Sequence, residues 1–156
     1  MSFEGADIHA LHRLIYFSRA AVNSADDLAP MMGSILSAAV PRNAGCGVSG
    51  ALLACDKWFV QALEGDRLTV GEVYNLICSD RRHRETTVIK AGPIERRSFD
   101  GWSMCGQTLS PTDDAIIRTL ETRKAFDPAS LSVTSALKLL EVVRNLQTKP
   151  PPSAYV

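Results

Sequence analysis

The chain has 156 residues, 46% of them hydrophobic, and its 17 lysines and arginines balance 17 aspartates and glutamates. This length suits one domain with a sizeable hydrophobic core. The formal net charge is zero and the pI is near 6.8. Such a balance gives no electrostatic footprint for nucleic acid, so a nucleic-acid partner is not expected.

Cysteine usage and hydropathy indicate a cytoplasmic protein. The cysteines have neither CxxC spacing nor metal-like pairing with histidines, which predicts reduced thiols and no metal site. No apolar run approaches the about 18 residues of a membrane span. The N-terminal residues, which include Glu4 and Asp7, lack the basic and apolar regions of a signal peptide. We therefore expect a cytoplasmic protein with no membrane partner.

The first half of the chain predicts a strand, a helix and a hairpin. After a poorly ordered lead over residues 1–10, β-branched and aromatic residues predict a strand over 12–18. A helix follows, and Pro41 is expected to end it. The apolar stripe of this helix consists of Leu28, Met32, Ile35 and Ala39. Strands are predicted over 48–55 and 58–64, joined by a tight connection at residues 56–57.

The second half predicts one more helix, two strands and a helical tail. Apolar residues at i, i+3, i+4, i+7 and i+8 predict a helix over 70–78. Strands are expected over 86–91 and 99–105, and helices over 113–123 and 133–146. Residues 148–156, with three consecutive prolines, are expected to be disordered or extended.

This order of elements predicts an α+β fold of the ferredoxin-like type. Strand, helix, strand, strand, helix, strand, strand matches a five-stranded mixed sheet with the two early helices on one face. The two C-terminal helices would cover the other face. Their apolar residues beyond one stripe predict a contact surface for a partner. Those residues are Leu139, Leu140, Val142 and Val143.

A glutamine and a tyrosine lie inside segments predicted as buried strands. An amide without a partner in an apolar interior costs about 1–3 kcal/mol, so Gln61 should bind something polar. Gln61 shares a face with Phe59 and Leu63, which predicts that it lies with Tyr16 on the floor of a cleft between the first two helices.

The expected walls and mouths of this cleft suit a planar ligand. Ile35 and Ile77 would line it, with Arg42 and Asn43 at one mouth and residues 80–83 at the other. A flat apolar slot with amides and a phenol inside and cations outside suits a heteroaromatic ring with a phosphorylated tail. A flavin nucleotide has this shape.

Six segments together resemble a known family in order and spacing. They are LIYFSR (14–19), RNA (42–44), GVSG (47–50), FVQALEG (59–65), DRRH (80–83) and RSFDGWSM (97–104). The sequence resembles the BLUF family of blue-light sensors using FAD over residues 12–105. The tail resembles that of short stand-alone BLUF proteins. The resemblance implies a flavin-binding domain over 12–105, a helical extension over 106–147 and a disordered tail over 148–156.

The resemblance implies a photoactive pair and a mobile segment. Tyr16 and Gln61 would be hydrogen-bonded to each other, with light-driven electron and proton transfer from Tyr16 to the flavin. Rearrangement of the Gln61 amide would follow, without a covalent bond to the protein. Trp102 and Met104, expected on the fifth strand, match the family's mobile segment beside the glutamine.

The resemblance also implies a cofactor-binding set. Tyr16, Gln61 and Asn43 would contact the flavin ring. Ile35, Phe59 and Ile77 would pack around it, and Asp80, Arg82 and His83 would meet the ribityl and phosphate portion. Arg42 either reinforces binding of the ring carbonyls or points into solvent. FAD is the expected flavin, but FMN and riboflavin stay open because Leu76 stands where some members carry a basic residue.

Three functions are compatible with the sequence. The first is a non-enzymatic blue-light photoreceptor that signals through the fifth strand and the C-terminal helices to a separate output protein or a homo-oligomer interface. The second is a light-independent regulatory module that senses a small ligand or nucleotide. The third is an acyl-phosphate hydrolase using Arg42 and Asn43, which only fold analogy supports. Taken alone, Asn43 would instead be a helix cap.

Overall fold

A computed structural model of the chain describes residues 10–120 and 126–147. Strands and helices follow one another in the predicted order. The strands are β1 (Leu11–Ala20), β2 (Ser49–Cys55), β3 (Trp58–Asp66), β4 (His83–Pro93) and β5 (Cys105–Leu109). The helices are α1 (Leu28–Cys46), α2 (Arg67–Cys78), α3 (Asp114–Leu120) and α4 (Val133–Leu146).

The strands form one mixed sheet in the order β4-β1-β3-β2-β5. The pairs β4–β1, β1–β3 and β3–β2 are antiparallel, whereas β2 and β5 are parallel. The predicted five-stranded ferredoxin-like sheet is therefore confirmed. Its central strands are β1 and β3, which carry Tyr16 and Gln61.

Two hydrophobic cores lie on opposite faces of the sheet. One contains residues of α1 and α2 with Leu14 and Tyr16 of β1, and the other contains residues of α3 and α4 with Ile15. This division follows from the alternation of side chains along a strand. The predicted cover of the second face by the C-terminal helices is confirmed.

The connection between β2 and β3 is a tight hairpin turn, as the sequence predicts. Asp56 and Lys57 both have positive φ, 48° and 68°. Two consecutive left-handed residues are the mark of a type I′ turn, whose twist matches that of the flanking strands. This turn fixes the β2–β3 register, in which Leu52 lies opposite Gln61.

Helix α1 does not end at Pro41, and that prediction is wrong. The helix continues through Pro41 to Cys46 and ends at Gly47, whose φ of 73° places it in the left-handed region. A proline within a helix removes one backbone hydrogen bond, and neighbouring turns with tertiary packing can tolerate that loss. Asn43 consequently lies within the last turn of α1, so its expected role as a cap is also wrong.

The fifth strand is shifted relative to its predicted range of 99–105. Strand β5 starts only at Cys105. The preceding residues form a turn in which the Trp102 N–H donates to the Phe99 carbonyl at 3.0 Å and Gly101 has a φ of 86°. Trp102 and Met104 therefore precede the strand. The prediction of a strand over 99–105 is wrong at its start because the large apolar residues there are buried within a turn and not within a strand.

Strand β4 begins at His83, three residues before the predicted start, and runs to Pro93. Part of the helix predicted over 113–123, the lead over residues 1–9 and the tail over 148–156 lie outside the described residues. Within the described ranges, no helix is long and apolar enough to cross a membrane. The domain limits stay predictions, with β5 lying across the expected limit after residue 105.

The apolar surface predicted on the last helix is mostly absent. Leu139, Leu140 and Val143 are completely buried against the sheet, and only Val142 of the four residues keeps partial exposure. Apolar residues occupy more than one stripe of α4 because the helix contacts both β2 and β5 in addition to α3. A partner cannot dock on these three side chains while α4 is packed.

Two glycines predict opposite effects of an added methyl group. A Cβ at Gly50 would lie 2.0 Å from the Ala62 carbonyl oxygen, whereas a Cβ at Gly33 in α1 would meet nothing within 4 Å. We expect Gly50→Ala to lower the free energy of unfolding by about 1–3 kcal/mol through overpacking. Gly33→Ala should raise it by about 0.5–1 kcal/mol. Urea unfolding of both variants measures the difference, and equal effects of the two substitutions would contradict the described β2–β3 packing.

Candidate functional site

Tyr16 and Gln61 are paired at the centre of the sheet. They lie directly opposite each other in the β1–β3 ladder, and their side chains are 0% and 2% exposed. The Tyr16 hydroxyl donates a hydrogen bond to Oε1 of Gln61. Burial raises the pKa of the Tyr16 phenol well above its usual value. The phenol therefore remains a protonated donor at neutral pH.

The other end of the Gln61 amide contacts Met104. Nε2 of Gln61 donates to the Met104 sulfur at 3.4 Å. A thioether is a weak acceptor, so the amide hydrogens remain available for a stronger one. The Met104 side chain fits here because Gly50 has no Cβ; a Cβ would lie 3.0 Å from the methionine methyl carbon.

Asn43 holds the same segment from the side of α1. Its buried amide donates to the Ser103 carbonyl at 3.0 Å, and its Oδ1 accepts from Nε of Arg42 at 3.1 Å. The buried Ser103 hydroxyl has no hydrogen-bond partner within the described residues. Amides from α1 and β3 thus contact two consecutive residues, Ser103 and Met104, immediately before β5.

Trp102 and Met104 face opposite sides of the sheet. Met104 belongs to the core beneath α1 and α2, whereas Trp102 packs in the core beneath α3 and α4. Trp102 contacts the sheet through its backbone carbonyl, which accepts from the Gly50 N–H at 3.0 Å. Residues 102–104 therefore join the surroundings of Gln61 to the core under the C-terminal helices.

Aromatic residues enclose Tyr16. The ring of Tyr74 in α2 lies 5.3 Å from that of Tyr16, and the ring of His83 lies 6.3 Å away. His83 is buried, exchanges a 2.9 Å hydrogen bond with Ser18 and packs 5.0 Å from Phe59. Burial lowers the pKa of His83 to about 4, with the nearby Asp80 carboxylate acting in the opposite direction and Arg82 in the same direction. The imidazole is therefore neutral at pH 7.

A groove of about 530 Å³ separates α1 from α2. This volume falls within the range of small-molecule sites. Its lining includes Arg42, Glu72 and Val73. Val73 also belongs to the core that contains Tyr16, so the groove borders this core. One cation and one carboxylate are among its lining residues, so it is not strongly charged.

The opposite end of the helix pair is bridged by Arg82. Its guanidinium forms an ion pair with Asp80 at 2.6 Å and donates to the Ser34 hydroxyl of α1 at 2.9 Å. The hydrogen bond from Arg82 is the main cause of the lowered Asp80 pKa. The groove therefore lies at the Arg42 end of the helix pair, and the polar contacts of Arg82 lie at the Asp80 end.

The structure brings together most of the predicted site residues. Ile35, Phe59 and Ile77 lie in the same buried cluster as Tyr16 and Met104. Trp102 does not join this cluster. Ser103, which contacts Asn43, and Tyr74, which contacts Tyr16, are not among the site residues that the sequence predicts, and Tyr74 lies in the apolar stripe of the helix predicted over 70–78. A tyrosine within that stripe was a usable signal for Tyr74, whereas no sequence pattern pointed to Ser103.

A family assignment follows from the match to known sequences. The sequence model of the family described as sensors of blue-light using FAD (BLUF) matches residues 11–105. The chain belongs to the BLUF family. BLUF proteins are blue-light sensors that bind flavin, so the resemblance inferred from the six sequence segments is confirmed.

Solved BLUF structures have the same fold. The photo-activated state of BlsA has a TM-score of 0.75 and 25% identity, covering 90% of this chain and 98% of BlsA. The dark-state structure of BlrB has a TM-score of 0.67 and 28% identity, covering 89% of this chain and 98% of BlrB. These similarities extend beyond residue 105 into the C-terminal helices.

Curated relatives match only a small part of their own length. Photoactivated adenylate cyclase subunit beta of Euglena gracilis is 32% identical over 78 residues, which are 49% of this chain and 9% of the relative. Subunit alpha of the same organism is 37% identical over 68 residues, 44% of this chain and 7% of the relative. The shared part is thus a sensor-sized portion of a much larger protein.

The described residues fit a flavin ring. Gln61 has amide hydrogens available for an acceptor stronger than a thioether, and the buried Ser103 hydroxyl lacks a partner within the described ranges. Asn43 lies beside them, next to the groove residue Arg42. A ring with carbonyl oxygens and ring nitrogens along one edge provides acceptors for such donors.

His83 predicts a specific loss of stability in acid. Its native pKa of about 4 lies below the unfolded value of 6.5, so the unfolded chain binds the proton more tightly between these values. Stability should be fully present above pH 6.5 and fall as the pH drops toward 4. By linkage, we expect a loss of about 2 kcal/mol between pH 7.5 and pH 5.

The conservative variant His83→Gln isolates this effect. Glutamine retains a hydrogen-bonding partner for Ser18 but does not titrate, so its urea-unfolding free energy should show a smaller slope over the same pH range. Subtracting the two slopes removes the contributions of His12 and the carboxylates. Identical slopes in the two proteins would show that His83 is not buried in its neutral form.

Proposed function

We propose that this chain is a blue-light photoreceptor that binds one flavin non-covalently between α1 and α2 and signals without catalytic turnover. The observation that supports it most is the buried hydrogen bond between Tyr16 and Gln61, because Tyr16 belongs to the core that the groove between α1 and α2 borders. FAD is the proposed cofactor. FMN and riboflavin are alternatives because the residues that line the groove include a carboxylate, Glu72, as well as a cation, Arg42, so the lining does not favour phosphate groups strongly.

The proposed binding set has three parts. Asn43, Gln61 and Arg42 would donate hydrogen bonds to the polar edge of the ring, with Tyr16 beside it. Ile35, Phe59 and Ile77 would provide apolar packing. Asp80, Arg82 and His83 are proposed to lie toward the ribityl and phosphate portion, and the partial exposure of the Asp80–Arg82 pair is compatible with this role.

The proposed photochemistry uses the two ends of the Gln61 amide. When bound, the flavin supplies a ring that absorbs blue light and accepts an electron and a proton. Tyr16 would release both, since its phenol is protonated and hydrogen-bonded. The Gln61 amide would then reorient. Its Nε2 group would face Tyr16 and its Oε1 atom would face Met104, the reverse of the present arrangement. The result is a two-state hydrogen-bond switch.

The signal would leave the site through the segment of Trp102 and Met104. A change at Met104 alters one core, and Trp102 in the same segment packs in the other core beneath α3 and α4. Packed cores pass on such shifts because they have discrete arrangements. A separate output protein or a homo-oligomer interface is the proposed receiver.

The substitution Tyr16→Phe tests the photochemical role. Purified protein loaded with FAD should be yellow, and blue light should shift its absorption slightly to the red, with return in the dark. Phenylalanine cannot release a phenolic proton, so the shift should disappear. Flavin affinity should change by less than about tenfold, because one hydrogen bond contributes about 0.5–1.5 kcal/mol. Absorption spectra before and after illumination, with a fluorescence titration of FAD, measure both.

The matched control is Tyr74→Phe. It makes the same chemical change 5.3 Å away but leaves the bond to Gln61 intact, so it should retain the light-induced shift. If Tyr16→Phe also retains the full shift, the assigned role of Tyr16 is refuted. Flavin binding without any shift in the unmodified chain would instead favour a light-independent flavin sensor.

A further inference from the structure

Three elements hold the single residue Ser98. Its backbone N–H donates to Oε2 of Glu64 in β3 at 3.0 Å, and its hydroxyl accepts from Nη2 of Arg13 in β1 at 2.7 Å. Its carbonyl accepts from Nη1 of Arg144 in α4 at 2.6 Å. We call Arg13, Glu64, Ser98 and Arg144 the Ser98 junction.

The junction begins on the same two strands as the photoactive pair. Arg13 and Glu64 lie opposite each other in the β1–β3 ladder, three residues from the opposed Tyr16 and Gln61. Because side chains alternate along a strand, residues three apart lie on opposite faces. The pair of Tyr16 and Gln61 thus faces α1 and α2, whereas the pair of Arg13 and Glu64 faces the C-terminal helices.

Glu64 makes a rigid attachment for the start of the segment. Its carboxylate is completely buried and forms a 2.8 Å ion pair with Arg13. It also accepts from the backbone N–H of Phe99 at 3.0 Å. A buried carboxylate needs all of its charged and backbone donors, so any movement of Ser98 and Phe99 away from it is costly. Ser98 therefore moves together with the central strands.

Segment 98–104 runs from this attachment to the photoactive pair. Its far end carries Ser103 and Met104, which are hydrogen-bonded to Asn43 and Gln61. Helix α4 contacts the first residue of the segment and the chain just after its last residue. Arg144 binds the Ser98 carbonyl, and Nε2 of Gln147, at the end of α4, donates to the Gly106 carbonyl at 3.2 Å.

We propose that the Ser98 junction couples the arrangement of segment 98–104 to the packing of α4, with Arg144 as the positioning residue on the helix. Because Ser98 is held to the central strands, a displacement of Met104 changes the shape of the segment between its two ends. The two bonds by which α4 holds these ends, from Arg144 to Ser98 and from Gln147 to Gly106, then change, and loosening α4 changes the segment in return. The coupling is a property of the chain and needs no flavin. Only its use by light rests on the proposed function.

The first experiment measures amide hydrogen exchange in the flavin-free chain in the dark. Arg144→Met removes the donor but keeps an apolar stem, and it should accelerate exchange of the amides of residues 99–104 and of α4 by about tenfold or more, as expected for the loss of a charged hydrogen bond. Arg144→Lys keeps one donor and should give a smaller effect. Lys138→Met, an exposed position on the same helix, is the control and should have none.

The second experiment separates coupling from simple stabilisation. Gln61→Leu removes the amide that holds Met104 and should accelerate exchange in α4 of the otherwise unmodified chain. In the Arg144→Met or Arg144→Lys background, the added effect of Gln61→Leu on α4 should be reduced. Equal effects of Gln61→Leu in all backgrounds would overturn the proposal, as would an Arg144→Met result that matches Lys138→Met.

The light-dependent arm uses the FAD-loaded protein. Arg144→Met should retain the absorption shift, and the light-induced change in α4 exchange should be lost. A full α4 response in this variant overturns the proposal even when the shift is intact. If the unmodified chain shows no shift, the proposed function fails, and the flavin-free experiments still decide whether the junction couples the two regions.

Discussion

The hydrogen bond between Tyr16 and Gln61 is the interaction on which the rest of the site depends. It joins two cross-strand neighbours at the centre of the sheet, where both side chains are almost completely buried. Burying a polar group destabilises the fold unless the group forms a hydrogen bond. The phenol satisfies one end of the amide, which leaves the other end on a weak acceptor, Met104. The weakly bound end of the Gln61 amide can therefore form a different hydrogen bond.

A change in the hydrogen bonds of Gln61 can affect the cores on both faces of the sheet. Trp102 and Met104 are separated by one residue yet belong to different cores, because a turn precedes β5 and breaks the strand alternation. A regular strand through these positions would place both side chains on one face. The irregular segment therefore physically links the face of the sheet that carries Gln61 to the face that the C-terminal helices cover.

The sequence predicted what depends on periodicity and on buried polar residues. The sheet and the two helix layers follow from strand alternation and helical stripes, and the cost of an unpaired amide predicts a polar partner for Gln61. The hydrogen bond of Gln61 with Tyr16 is implied only by the resemblance to the BLUF family. The sequence did not predict what depends on tertiary contacts. Pro41 predicts a helix end, although α1 continues through it to Cys46. The apolar residues over 99–105 predict a strand, although those before Cys105 are buried in a turn, because a buried turn and a buried strand can have the same composition. The contacts of Glu64 and Arg144 with Ser98 join residues distant in the chain and leave no local pattern.

The side-chain amide resonances of Gln61 provide the most direct measurement of the central claim. The chain has glutamines only at positions 61, 107 and 147, so selective ¹⁵N labelling gives a sparse spectrum that Gln61→Leu assigns. We predict that the Gln61 resonances shift and saturate at one equivalent of FAD in the dark, and shift again reversibly under blue light. FAD binding that leaves the Gln61 resonances unchanged in the dark and in the light would contradict the account.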